Sequence, residues 1–140
     1  MRVLVVSHIP LLADAVANAL QKRFGFQALP AYSPSEAEEN ASIFNFDVAV
    51  VDWERSEKGS GDVAPGRTLD AVSIGLRLQH LQPRCKIVLY REQIPDELGG
   101  APAVLEHLKS EGFCVDCISV TDKYETLYDM LRQIAIQLVH

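Results

Sequence analysis

Apolar residues in this chain fall into two patterns that take turns along its length: short unbroken runs, and stripes spaced three or four residues apart. The runs are Arg2 to Val6, Phe46 to Trp53, Lys86 to Tyr90 and Val115 to Val120, with a weaker one over Phe26 to Tyr32. A stretch such as Val48-Ala49-Val50-Val51 suits a strand covered on both faces, the condition of an interior parallel strand. Pro30 has no amide to give to a ladder, so its strand belongs at a sheet edge.

The stripes are helical. Leu12, Val16, Ala19 and Leu20 follow Pro10, which suits a first helical position, and Gly25 closes that segment. Ser33-Pro34-Ser35-Glu36 reads as a capping box, in which the Ser33 hydroxyl takes a first-turn amide and Glu36 reaches back to the Ser33 amide. The helix it opens runs to about Ile43. Ala71, Ile74, Leu78 and Leu81 mark a third helix, weakened by Gly75 and ended by Pro83. A fourth starts near Pro102 and stops at Gly112, and Leu127, Leu131, Ile134 and Leu138 line a fifth, with Thr121 or Asp122 as its cap.

Five strand–helix units in alternation predict right-handed crossovers and one parallel sheet with helices on both faces. The fold class is therefore α/β, a doubly wound five-stranded (βα)5 arrangement in a single domain over residues 1–140. In such sheets the functional crevice lies beyond the carboxyl ends of the strands. That rule gathers Ser7, His8, Asp52, Tyr90 and Lys123 into one neighbourhood. The segment from Glu54 to Arg67 carries Gly59, Gly61, Pro65 and Gly66 among charges and has no apolar period, so it is expected to be a mobile loop over that crevice.

With 48% hydrophobic and 23% charged residues, the composition excludes a disordered or fibrous chain. A formal charge of -6 argues against direct binding of nucleic acid, which needs clustered cations. No apolar run reaches the roughly 20 residues of a membrane span and no leader pattern precedes the first strand, so a cytoplasmic protein with no membrane partner is expected. Cys85, Cys114 and Cys117 make an odd count suited to a reducing compartment. Cys114 and Cys117 have redox or zinc half-site spacing, but they enter a strand, where residues three apart face opposite sides.

Taken in order, these features resemble the receiver domains of two-component signalling, in an atypical, pseudo-receiver-like form. In that family the first strand ends in two acids, followed one position later by Pro and a helix. The matching stretch here is Val3-Leu4-Val5-Val6-Ser7-His8-Ile9-Pro10, in which the frame matches and the acids do not. Phe46-Asp47-Val48-Ala49-Val50-Val51-Asp52 matches the strand that ends in the phosphoaccepting aspartate. Lys123, with Met130, Leu131 and Ile134 at the family's offsets, matches the lysine after the fifth strand, although Tyr124 replaces the usual Pro. Tyr90 or Arg91 stands where the family has Ser or Thr.

The resemblance implies a flavodoxin-like fold, a signalling function without enzymatic activity, and Asp52 as the phosphoacceptor position. It also implies that the metal site is impaired. Phosphoryl transfer to a carboxylate needs Mg²⁺ held by acidic side chains, and Mg²⁺ prefers oxygen ligands. Ser7 and His8 are poor substitutes, so no cofactor is expected and Mg²⁺ binding should be weak or absent. Glu54 or Asp62 is the alternative source of a carboxylate, which would make the chain a working phosphoacceptor receiver.

The partner is expected to be a kinase, an output domain or another regulator, or a second copy of the chain. It would bind on the face of the fourth helix, fifth strand and fifth helix through Glu106, Lys109, Tyr124 and Tyr128. A third reading is a flavodoxin-like ligand-binding or catalytic domain, with a pocket over Ser7, His8 and Asp52. Against a Ser-His-Asp triad, neighbouring side chains on an extended segment point to opposite sides. Trp53 either anchors a partner or packs beneath the long loop.

Overall fold

The computed structural model describes residues 1–52, 71–90, 100–110, 112–113, 118–121 and 124–139. Strands and helices alternate through them as β1 (Arg2–Val6), α1 (Pro10–Phe24), β2 (Gln27–Ala31), α2 (Pro34–Ile43), β3 (Val48–Asp52), α3 (Ala71–Leu81), β4 (Lys86–Tyr90), α4 (Gly100–Ser110), β5 (Ile118–Thr121) and α5 (Tyr124–Val139). The strands form one parallel sheet in the order β2-β1-β3-β4-β5. This is the order of a flavodoxin-like doubly wound sheet, with its switch point between β1 and β3.

Pro30 sits on the edge strand, as its missing amide requires. The Gln27 amide bonds Met1 O, and Ala31 O accepts from the Ser7 amide. By alternation the nitrogen of Pro30 therefore faces away from β1. The outward Ala28 carbonyl accepts from Gln21 Nε2 at 2.7 Å, so the edge is blunted by both a proline and a side chain.

Two apolar layers cover the sheet. On one side Ile74, Leu78, Val104 and Leu108 of α3 and α4 meet Leu4, Ala49 and Ile87, and Cys85 is an apolar member of this layer. On the other, Val16 and Leu20 of α1 and Leu127 and Leu131 of α5 meet Val5, Val50 and Val88. Gly75 permits a close approach, because a Cβ there would lie 3.0 Å from the ring of Phe113.

Several sequence expectations change. The Ser33 hydroxyl caps α2 by accepting from the Glu36 amide at 3.1 Å, but the Glu36 carboxylate takes the amide of Tyr32 at 2.7 Å rather than that of Ser33. Phe46 precedes β3 instead of opening it, because its amide bonds Gln82 Oε1 rather than a neighbouring strand. α4 begins at Gly100, ahead of Pro102. Leu81 and Leu138 are exposed. A strand of five residues covers about 17 Å whereas sixteen helical residues cover about 24 Å, so the last turn of α5 overhangs the sheet. Trp53, the Glu54–Arg67 loop, Cys114 and Cys117 lie outside the described residues.

Candidate functional site

The register brings one residue from each strand to a common level at the carboxyl end of the sheet. Asp52 pairs with Tyr90, and Tyr90 with Thr121. Val6 pairs with Val51 and Ala31, so the next residues along, Ser7 and Tyr32, continue the row. Val3, Val5, Val48, Val50, Val88 and Tyr90 belong to the layer under α1 and α5. Period-two alternation then puts Ser7 and Asp52 on that same side, and Thr121 as well, since Ile118 and Val120 face the other layer. The result is a line of hydroxyl side chains with one carboxylate in it.

Ser7, Asp52 and Thr121 are 1%, 4% and 2% exposed. A buried carboxylate needs partners for its oxygens, and Ser7 Oγ donates to Asp52 Oδ2 at 2.8 Å. The same Oγ accepts from the Ile9 amide at 3.1 Å, ahead of the first turn of α1. With its one proton committed to Asp52 and a lone pair to the helix entry, Ser7 is held from both sides. Thr121 Oγ1 is buried without a hydrogen-bond partner. Thr121 is thus the last residue of β5 and does not cap α5; Asp122, the other capping candidate, lies outside the described residues.

At the outer end of the row the Tyr32 hydroxyl donates to Asp14 Oδ1. This hydrogen bond raises the phenol's pKa above its ordinary value, and partial desolvation and the Asp14 and Glu36 charges add to the effect.

Ser7, Asp52 and Tyr90 stand together as the sequence implied, and His8 follows Ser7 with a buried Nδ1 that has no hydrogen-bond partner. The Ser7 proton goes to the aspartate and not to the imidazole, so no Ser-His-Asp relay is assembled. Glu54 and Lys123 lie outside the described residues. Thr121 is the site residue that sequence reasoning missed. Its signal is the alternation within Ile118-Ser119-Val120-Thr121, which gives the last position to the same side as Ser119.

The expected partner face divides. Glu106 and Lys109 pair on α4 at 3.4 Å. Tyr128 instead turns towards α1, with its ring 5.8 Å from that of Phe24 and the Arg23 guanidinium 5.0 Å above it. It therefore does not share a face with Glu106 and Lys109. The side chains that α5 presents beside β5 are Thr126, Asp129, Met130 and Gln133, which with Ser119 line an open groove. The Tyr124 side chain is outside the described set.

No protein-family model matches the sequence, and no curated protein matches it. Solved structures do match over nearly the whole chain. A two-component response regulator from Clostridium difficile superposes with a TM-score of 0.69 at 16% identity, covering 99% of this chain and 98% of its own. The signal receiver domain of a DNA-binding response regulator from Colwellia psychrerythraea gives 0.67 at 15% identity, over 96% and 98%. A response regulator from Thermotoga maritima, in complex with Mg²⁺ and BeF, gives 0.63 at 18% identity, over 95% and 97%.

The chain has the receiver fold. Asp52 closes β3 of this receiver fold, and Ser7 and His8 follow β1. Among the described residues, the donors at the place of the cation that the resemblance implies are few. Asp52 supplies the carboxylate of the row, one of its oxygens is engaged by a hydroxyl proton, and the next side chain is an imidazole. Mg²⁺ favours oxygen ligands, carboxylates above all. Among the described residues no three His, Cys, Asp or Glu side chains converge on a metal-sized space. Nor is any described helix long and apolar enough to cross a membrane.

Proposed function

We propose that this chain is an atypical receiver module in two-component or phosphorelay-type signal transduction, working through protein–protein contact and largely independent of Mg²⁺-dependent phosphorylation. The observation that carries the reading is the buried bond from Ser7 Oγ to Asp52 Oδ2. It gives one carboxylate oxygen a neutral donor, and that donor stands where an acid of the ordinary receiver pattern would need a metal to offset its charge. Without a bound metal, transferring a phosphoryl group to Asp52 would bring two anions together and leave the developing charge to Lys123, and stabilising that charge is the main catalytic effect in this chemistry. The module would act in the cytoplasm, on a kinase, output domain or other regulator. The α4–β5–α5 face, with Glu106, Lys109, Asp129 and Met130, is the contact surface this reading favours.

Treatment with acetyl phosphate in millimolar Mg²⁺, followed by intact-mass and peptide mass spectrometry, tests the proposal. The expected result is no stable adduct on Asp52. The Ser7→Asp, His8→Asp double variant is expected to gain thermal stability when Mg²⁺ is added, because the cation relieves the crowded carboxylates, whereas the parent protein does not respond. A Mg²⁺-dependent phosphoryl adduct on Asp52 of the parent protein would replace this reading with that of a working phosphoacceptor.

A further inference from the structure

The described exposed large apolar side chains are confined to the two ends of the sheet. At the carboxyl end are Ile9 and Leu11, the latter 81% exposed on the first turn of α1. At the amino end are Ile43, 64% exposed, with Phe44 and Leu81 where α2 and α3 finish and Ile136 and Leu138 in the last turns of α5. Gln82 Nε2 bonds the carbonyls of Ala41 and Phe44, tying the α2 and α3 termini into one surface. Beside it opens a cleft of about 490 Å³ lined by Asn45, Phe46, Leu81, Gln82, Pro83 and Arg84.

Charge divides along the same axis. The amino end carries Arg2, Lys22, Arg23, Arg84, Lys86 and Lys109 against the described acids Glu39, Asp47 and Glu106, of which Asp47 lines the cleft and accepts the backbone amide of Arg2 and Glu106 pairs with Lys109. Lys22 and Arg23 complement the α1 dipole, but Arg2, Arg84 and Lys86 lie on strands or in a turn and have no such role. The carboxyl end carries Asp14, Glu36 and Glu125, with no Lys or Arg among the described residues there. Among its described residues, a chain whose formal charge is -6 thus presents a net basic, cleft-bearing end and a net acidic end with a protruding leucine.

We infer that the occupant of the basic end is a second copy of this chain, docked head to tail, with Ile9 and Leu11 of one copy seated at the Leu81–Arg84 cleft of the next. A protruding apolar residue complementary to a pocket elsewhere on the same molecule makes a heterologous contact, which propagates unless the rotation closes it into a ring. Opposite charges on the two ends steer and align the encounter, and their exposure makes it sensitive to salt. The inference does not rest on the signalling reading, since it uses neither Asp52 nor Ser7.

Sedimentation velocity over a concentration series tests it with the protein itself. At about 20 mM salt the weight-average mass is expected to rise past that of a dimer as the protein approaches about 1 mM, and to return to monomer at about 0.5 M salt. Leu11→Ser and Arg84→Glu each alter an exposed side chain and are expected to abolish growth separately. Mixed in equal amounts, the two variants should stop at a dimer, because one intact basic end meets one intact acidic end. A monomer at every concentration in low salt overturns the inference. So does a closed dimer indifferent to both substitutions, which would place the contact on another face. Co-sedimentation with phosphatidylserine vesicles by a protein that stays monomeric assigns the basic end to a membrane surface and overturns it equally.

Discussion

At the scale of single residues, Gly75 shows how a position that looks unfavourable in sequence becomes necessary in space. Glycine inside a helix costs about 1 kcal/mol relative to alanine. A Cβ at this position would lie 3.0 and 3.1 Å from two ring carbons of Phe113 and 3.3 Å from a methyl carbon of Ile87, and both of those residues are buried. Overpacking of this kind costs about 1–3 kcal/mol, which outweighs the helical gain. Gly75→Ala is therefore expected to lower the unfolding free energy by about 1 kcal/mol, read as a lower urea midpoint at constant slope. A more stable variant would mean that the Phe113 ring yields freely. Ser7 illustrates the converse: a small polar residue, unremarkable at a strand end, becomes the partner of a buried carboxylate once β1 and β3 lie side by side.

Between elements, Gln82 replaces contacts that neither sheet nor helix provides. Its Oε1 accepts the Phe46 amide at 2.7 Å, and its Nε2 donates to Ala41 O and Phe44 O at 2.7 and 2.6 Å. One side chain after α3 thus satisfies the loop that leads into β3, the strand that delivers Asp52. Gln82→Ala leaves a partly buried amide unpaired and is expected to cost about 1–3 kcal/mol in chemical denaturation. Gln82→Glu keeps the acceptor for Phe46 and loses both donors, so it is expected to fall between the parent and Gln82→Ala at neutral pH. Equal stability of all three proteins would show that water replaces these bonds without loss.

For the molecule as a whole, sheet order decides where rigidity lies. β1 and β3 each pair on both sides and are covered by both apolar layers, whereas β2 and β5 are edges and β2 carries Pro30. Native-state hydrogen exchange is expected to leave the amides of Val3 to Val6 and Val48 to Val51 protected longest, with β2 opening by lower-energy fluctuations. Exchange from β1 and β3 as fast as from β2 would contradict a single central core. The strands expected to be most protected are β3, which ends in Asp52, and β1, which Ser7 follows directly.

The alternation of unbroken apolar runs with helical stripes was enough to determine a parallel α/β sheet, the edge position of the Pro30 strand and the strand-end position of Asp52, because burial on two faces and a missing amide are properties written locally. Element boundaries were less legible. Phe46 is apolar enough to open a strand, but a glutamine distant in sequence takes its amide; Leu81 and Leu138 keep the helical period but extend past the sheet that would cover them. Ser7 and Asp52 were legible as neighbours and not as a hydrogen-bonded pair, and Thr121 passed for a helix cap until its register with Tyr90 placed it in the row. Apolar periodicity is set by each residue's immediate neighbours along the chain. Which polar atoms meet, and which helix ends remain uncovered, depends on register and element length across the sheet, and only the tertiary structure decides those.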